Sequence, residues 1–473
     1  MTPREKRAAT SLAGIYALRM LGLFMILPVF SLYAETLEGV TPLLVGVAIG
    51  IYGLTQAAFQ IPFGMLSDRF GRKPIIALGL LIFAIGSVVA AMADTMTGVI
   101  IGRALQGAGA IAAVIMALTA DLTREEHRVK AMAVIGGTIG FSFAVALISG
   151  PIINAVIGVD GIFWVTAVLA IGGIFVLYKI VPDPGISRFH RDSQPVTSQF
   201  KNVLKNPELL RLDAGIFILH MVLTASFVVM PFALRDFAHM ESDDHWQIYL
   251  PVLLISMVIM VPFIIVAEKR RRIKQIMSGA VLVLAVAEFL LMVDHYSPSS
   301  IFFALLIFFI AFNVLEAILP SMIVKTAEPH IKGTAMGVYS SSQFLGAFSG
   351  GVAGGFLYGA YGVSGVFGFC GLALLFWAYL TFTMRNPKYL SSFMINVGEV
   401  SEERARQLVN EITHIQGVAE VVVIPEDGVA YLKIDNHAVD KKALLAFSKD
   451  ATINGKEGKA NTDAKMEGSL ENQ

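Results

Sequence analysis

Twelve apolar blocks, each close to the length of a bilayer-spanning helix, run through this chain, and few folds are compatible with so many. A hydrocarbon core about 30 Å thick takes about 20 consecutive apolar residues in helical form. The blocks lie at about 11–33, 44–66, 74–93, 97–119, 131–153 and 162–181. A second set follows at about 212–234, 246–267, 276–293, 300–323, 334–359 and 363–384. Backbone polar groups in lipid need partners within the chain, so the pattern predicts helices rather than open strands. Composition agrees: 15% of the 473 residues are charged, against roughly 25% in soluble domains. The first block follows Arg4, Lys6 and Arg7. It is too long for a typical signal-peptide core and lacks a small-residue cleavage pattern after it, so an uncleaved first span is expected.

The fold class this implies is an all-α membrane protein of twelve transmembrane helices in two pseudo-symmetric six-helix bundles. The bundles are placed at 1–186 and 212–388, with a cytoplasmic linker at 187–211 that is rich in Pro, Ser and charge. Three segments recur at nearly one offset. Leu27-Pro28-Val29-Phe30 returns as Met230-Pro231-Phe232-Ala233, Asp68-Arg69 as Glu268-Lys269, and Lys130-Ala131-Met132-Ala133 as Thr334-Ala335-Met336-Gly337. Such internal repeats are the mark of a duplicated unit with a pathway between its copies. Basic residues fall on alternate connections: Arg69, Arg72 and Lys73; Arg124, Arg128 and Lys130; Lys269 to Lys274; Lys325 and Lys332. The other connections hold Arg235 as their sole base. Bases stay in the cytoplasm, so both termini are expected there, with the chain multi-pass in a bacterial inner membrane.

After the last block the pattern changes. Ser401 precedes an amphipathic helix, and Val418–Ile424 and Val429–Ile434 alternate as strands around Glu426-Asp427-Gly428. The order β-α-β-β-α suggests a small ferredoxin-like domain at 389–448, followed by a polar tail at 449–473 expected to be disordered. That domain is similar to the heavy-metal-associated family, but the loop from Val397 to Glu403 lacks the two cysteines that hold metal there. Cys370 is the single cysteine, so no disulfide within the chain, no thiolate metal cluster and no cofactor is expected. Zero net charge gives no field for nucleic acid.

Between the second and third spans lies Gly64-Met65-Leu66-Ser67-Asp68-Arg69-Phe70-Gly71-Arg72-Lys73. Asp68 sits at a helix C-terminus, where a negative charge is disfavoured and needs a partner. This loop resembles the signature motif of the major facilitator superfamily at each defining position. The resemblance implies a conformational lock built from Gly64, Asp68, Arg69, Gly71, Arg72 and Lys73, extended by Asp121 and Arg128. It would join the bundles on the cytoplasmic side when the pathway opens outward, with Asp68 meeting the start of the eleventh span near Gly333. The second-half copy departs from the motif, with Glu268 for Asp68 and Arg271 for Gly71. Gly102-Arg103-Ala104-Leu105-Gln106-Gly107 resembles the superfamily motif whose arginine is linked to proton transfer; a structural arginine bonded to carbonyls or Gln106 is the alternative. Gly150-Pro151, with Gly136, Gly137 and Gly140 ahead, resembles the motif of drug–proton antiporters, although Ala146, Asn154 and Ala155 replace glycines of that motif.

In that family the first, fourth, seventh and tenth spans line the central cavity. Arg19, Arg103, His220 and Glu316 lie on them, and ionisable groups within spans are costly and face the protein interior. Arg19, His220 and Glu316 stand about 10–13 Å from a cytoplasmic helix end at 1.5 Å per residue. All four are candidates for proton coupling, Glu316 as the acid; its alternative is a static salt bridge to Arg19. Glu288 is placed near the opposite end, at the interface. Phe24, Met25, Gln106, Phe227, Phe308, Phe312 and Asn313 are candidate cavity residues, suited to a hydrophobic or amphipathic small molecule. The small residues Gly346, Gly350, Gly351, Gly354 and Gly355 are expected to pack on the eighth or second span. The function expected is alternating-access transport, driven by a proton gradient and directed to efflux, by a monomer in the bilayer. A sensor whose C-terminal domain reads a cytoplasmic ligand or partner, and a uniporter, stand as alternatives. No nucleophile–base pair supports an enzyme.

Overall fold

The structure is a computed structural model. It describes residues 1–183, 199–328, 331–385, 391–398, 400–425, 428–435 and 438–448. The first part of the expected linker, 187–198, and the expected disordered tail, 449–473, lie outside the described residues.

Helices dominate. They are α1 (Pro3–Phe24), the short α2 (Phe30–Tyr33), α3 (Pro42–Phe70), α4 (Arg72–Ala91), α5 (Met96–Ala108), α6 (Ala112–Leu122), α7 (Glu125–Lys179), the short α8 (Phe200–Lys205), α9 (Pro207–Phe232), α10 (Trp246–Lys269), α11 (Ile273–Val293), α12 (Pro298–Thr326) and α13 (Lys332–Thr383). Among the described residues nine helical segments are long and apolar enough to cross a membrane. Two of those are 50 and 52 residues long, well beyond one crossing. Each contains one glycine at positive φ, Gly158 at 70° and Gly362 at 66°. The helical path breaks there, at a backbone conformation open to glycine without a Cβ penalty.

Local chemistry sets the other ends. Thr2 and Glu5 form a reciprocal capping box at the start of α1. Thr41 caps α3 and Thr95 caps α5, each accepting from a backbone N–H three residues on. Asn206 accepts from Glu208 N and Leu209 N, with Pro207 at the first helical position. The helix α9 therefore starts five residues ahead of the sequence-based boundary at 212, inside the segment expected to be linker.

Faces sort by environment. Along α4, Ile75, Ile76, Leu80 and Phe83 are buried, while Leu78, Leu81 and Ile85 are exposed as one stripe. Along α10, Leu254, Val258, Val261 and Ile265 form a similar exposed stripe. Water does not tolerate such apolar faces on this scale, and lipid does. By contrast α9 is buried nearly all round, which places it in the middle of the helical body.

One compact unit comprises Met1–Val324 and Gly333–Asn386; a second comprises Lys325–Lys332 and Pro387–Gln473. The second carries β1 (Ser391–Asn396), α14 (Glu402–Thr413), β2 (Val418–Ile424), β3 (Val429–Ile434) and α15 (Lys441–Leu445). Its sheet is antiparallel in the order β1-β3-β2. Ser401 caps α14, accepting from Arg404 N. Leu408 and Ile412 of that helix pack with Ile395, Ala430, Leu432 and Ile434 of the sheet.

Candidate functional site

At one end of the helical body the two halves are closed on each other by direct backbone contact. The closed end carries the loops around Glu35, Asp160 and Arg235; the other carries the Asp68 loop. At the closed end α3 and α13 meet backbone to backbone. A Cβ on Gly50 would sit 2.8 Å from the Phe348 carbonyl oxygen, and one on Gly351 would sit 3.0 Å from Gly50 Cα. Gly46 faces the Gly351 carbonyl with no room for any side chain. Gly351 and Gly355 thus pack on the second span, as expected. Gly346, Gly350 and Gly354 instead pack on Phe217, Met221 and Ala225 of α9, the seventh span. The expectation of the eighth span is corrected there, because the glycine row is wide enough to face two neighbours.

Above this crossing Arg235 donates to both carboxylate oxygens of Glu35, at 2.5 and 3.1 Å, and also binds Asp236. Tyr33 donates to Asp160 at 2.5 Å. The Glu35–Arg235 pair joins the halves, and its side chains are 48% and 34% exposed. Such a pair is worth about 0–1 kcal/mol. Glu35→Arg should therefore favour opening of this end by no more than about fivefold, or about 1 kcal/mol. The labelling rate of a cysteine at Phe232, whose ring lies under Arg235, reads that change; adding Arg235→Glu should reverse it.

Deeper in, an aromatic cluster spans the halves. Phe143 of α7 meets Phe24 of α1 edge-on at 5.0 Å, and Phe309 and Phe312 of α12 at 6.0 Å each. Phe308 stacks on Phe312 at 5.9 Å, and Phe227 meets Phe309 at 6.2 Å. Sequence reasoning found Phe24, Phe227, Phe308 and Phe312 but missed Phe143 and Phe309. The fifth span was read only for its glycines, although a phenylalanine three residues after Gly140 was legible. Met25 is buried, and its carbonyl packs against Gly150, where α7 has no space for a Cβ. Pro151 follows within the same helix. Asn313 donates to Ser256 of α10 at 3.1 Å.

On the Asp68 side of that cluster, Gly64, Gly136, Gly137 and Gly140 make no backbone contact between the halves. Gly136, Gly137 and Gly140 have nothing near the position of a Cβ, and Gly64 has only Ala113 at 3.9 Å. Glu316 lies on this side of the aromatic cluster, 29% exposed at its side chain. Gln343 of α13 donates to Glu316 Oε1 at 3.4 Å, and its amide nitrogen lies 2.8 Å from His220 Nε2. His220 Nε2 is 3.9 Å from Glu316 Oε2. The structure thus brings together Glu316, His220 and Gln343; no sequence motif marked Gln343.

Arg19 does not join them. It donates to Gln56 at 2.5 Å inside the first half, so the expected alternative of a Glu316–Arg19 salt bridge is corrected. Arg103 is fully buried, donating to Gln106 at 2.7 Å and facing the Ala48 and Ile49 carbonyls. Gln106 in turn donates to Ser87 at 2.8 Å and is fully buried, so it belongs to this interior network rather than to a cavity wall. Glu288 is also buried, accepting from Ser226 at 2.8 Å, with Cys370 3.7 Å from the same hydroxyl. Its expected interfacial position is corrected: the helix face it occupies turns toward α9 and α13, not outward.

In the Asp68 loop the network is local. Arg72, 3% exposed, donates to Asp68, to Ser67 Oγ at 2.6 Å and to Asp121 at 3.2 Å. Lys73 binds Asp183 at 2.5 Å and the Val181 carbonyl at 2.8 Å. Arg69 lies over the Phe70 ring. Gly71 has φ of 90°, a turn that glycine permits. Among the described residues Asp68 is partnered by Arg72 and not by the start of α13; its side chain is 44% exposed. The side chain of Arg128 lies outside the described residues.

A backbone-closed end, an aromatic layer bridging the halves and a charged loop at the other end fit a membrane transporter, and the chain belongs to the Major Facilitator Superfamily, whose model matches residues 12–275 and 266–393. It is 45% identical to the inner membrane transport protein YajR of Escherichia coli K12 over 442 residues, which are 93% of this chain and 97% of that one. It is 26% identical to the multidrug resistance protein MdtH of Proteus mirabilis over 359 residues, 72% of this chain and 84% of that one. Among solved structures it is similar to a bacterial homologue of the human lysosomal transporter Spinster. That match has a TM-score of 0.68 at 14% identity and covers 81% of this chain and 97% of that one; it shows the fold alone.

Proposed function

We propose that this protein is a secondary active transporter of a bacterial inner membrane, working by alternating access and coupling inward proton flow to efflux of a small hydrophobic or amphipathic molecule. It would cross the bilayer twelve times, once by α1, once by each of seven further apolar segments and twice by each of the two long helices broken at Gly158 and Gly362, with a ferredoxin-like domain following in the cytoplasm. The observation that carries the reading is the asymmetry between the ends: Gly46 and Gly50 are closed on the Gly351 backbone, while Gly136, Gly137 and Gly140 face open space. With both termini cytoplasmic, as the basic loops predict, this is the inward-open state. Similarity to an inner membrane transport protein and to a multidrug resistance protein supports the location and the substrate class.

In this state Asp68 lacks a contact with α13 because the Asp68 end is parted. In the opposite state the two approach, and Asp68 meets the start of α13 with Arg72 and Asp121 holding the loop. Asp68→Asn should then lower the transport rate about tenfold, equivalent to about 1.4 kcal/mol. The thermal midpoint of this state should stay close to wild type, because Arg72 keeps Asp121.

Glu316 is assigned as the acid that takes the proton. Among the spanning carboxylates its side chain is the least buried, and its neighbours, Gln343 and His220, can bond either protonation state. A proton entering down a membrane potential carries about 2.3 kcal/mol per 100 mV, enough to bias one step of a cycle. The full chain in proteoliposomes, with a pH-sensitive dye inside and a panel of amphipathic dyes of both charges as probes, tests this. Probe-dependent proton flux is expected, with loss in Glu316→Gln and in Arg103→Ala. Unaltered flux in both variants would remove these residues from the coupling.

A further inference from the structure

The spanning charges are divided by sign between the halves. Arg19 and Arg103 lie in the first half and have no ion pair to a carboxylate among the described residues. Asp213, Glu288 and Glu316 lie in the second, and no arginine or lysine pairs with them there. The two sets differ chemically. A buried carboxylic acid becomes neutral by holding a proton, whereas a guanidinium keeps its charge at any accessible pH. The acids can therefore balance themselves and the arginines cannot.

Arg19 is the less satisfied of the two arginines. It is 1% exposed, and Nη2 donates to Gln56, while Nε and Nη1 have no partner. Its guanidinium lies 5.6 Å from the Tyr52 ring centre and 5.5 Å from that of Phe83. Arg103 approaches the same Tyr52 ring at 5.2 Å. Two cations share one phenol ring, and every polar group bonded to them is neutral. Cation–π contacts offset part of a buried charge but leave N–H donors unfilled, and unfilled buried donors are costly.

We propose that Arg19 is an anion-binding site and that the transported molecule is an amphipathic organic anion, its carboxylate or sulfonate accepting from Arg19 Nε and Nη1. The apolar body would lie along Tyr16, Met20 and Phe24 toward the aromatic cluster. Arg103, which approaches the same Tyr52 ring, raises the local potential without touching the anion. The acids of the opposite half carry protons, so anion and proton occupy separate halves. This inference names the substrate class of the transport reading and rests on it, but its test measures binding and needs no transport.

The full chain in nanodiscs is titrated with naphthalene-1-sulfonate and with naphthalene-1-methanol, the same ring without charge. The sulfonate should bind at least tenfold more tightly and raise the thermal midpoint. Arg19→Gln should lower its affinity to that of the alcohol, and Arg19→Lys should restore part of the difference. Gln56→Glu supplies an internal carboxylate beside Arg19. It should abolish sulfonate binding while keeping or raising stability, and it decides the matter if Arg19→Gln does not fold. Equal binding of alcohol and sulfonate overturns the proposal, as does sulfonate binding that survives Gln56→Glu. Displacement of the sulfonate by chloride at equal concentration would make the site a counter-ion site and overturn the substrate assignment. Failure of proton flux with sulfonate selectivity intact would count against the coupling reading alone.

Discussion

Gly46→Leu is expected to reduce transport at least 100-fold while leaving the protein folded. Gly46 faces the Gly351 carbonyl where α3 crosses α13, and Gly50 and Gly53 continue that contact against Phe348 and Phe344. No rotamer of leucine fits, so the helices must separate at the closed end. Overpacking of this kind costs about 1–3 kcal/mol when neighbours can yield. Here the obstacle is backbone, so the upper end applies, and about 3 kcal/mol is a factor of roughly 100 in the population of the closed form. The interior of each half is untouched, because the contact lies between them. Gly279→Leu is the matched control: nothing lies within 4 Å of a Cβ at that position of α11. Transport near wild type is expected there, with both variants showing one symmetrical peak in size-exclusion chromatography.

Glu316→Gln is expected to lose proton-driven transport by a similar factor with the fold intact. The substitution keeps the size of the side chain and a hydrogen-bond acceptor for Gln343, so the local packing with His220 survives. What it removes is the ability to exchange a proton. Transport down a substrate gradient alone should persist, and its rate should cease to depend on pH. His220→Gln should have a smaller effect, because His220 sits 3.9 Å from the carboxylate and reaches it mainly through Gln343. Proton-driven transport near the wild-type rate in Glu316→Gln would move the coupling site elsewhere, with Asp213 and Glu288 next to be substituted.

Much of the fold was legible because lipid leaves few choices. Block length alone predicted helices, and the small C-terminal unit showed its strands through alternation at Val418–Ile424 and Val429–Ile434. The Gly158 and Gly362 breaks were visible only as gaps between apolar blocks, since helical hydrogen bonding continues almost through them. The start of the seventh crossing was misplaced because Asn206-Pro207 is a helix-opening signal set among charged residues that otherwise resemble a linker.

The site was legible in its parts and not in its pairings. Arg19 and Glu316 stood out as charges in apolar spans, and each seemed to call for the other. Their actual neighbours, Gln56 and Gln343, are uncharged residues with no periodic signature. Helix rotation separates Gln106 from a cavity wall, and a sequence does not fix rotation when all faces are apolar. The Glu35–Arg235 pair was available to reasoning, since Arg235 is the sole base on its side, but nothing in the spacing of 200 residues linked the two loops.

The most direct test of alternating access is a pair of distances by double electron–electron resonance on a Cys370→Ser background. One spin-label pair is placed at Phe70 and Val324, at the Asp68 end; the other at Ile157 and Tyr296, at the Glu35 end. All four positions are exposed. On adding substrate or changing pH, the Phe70–Val324 distance should shorten as the Ile157–Tyr296 distance lengthens. Distances that stay fixed under every condition, or that lengthen together, would contradict a mechanism in which the two ends open in turn.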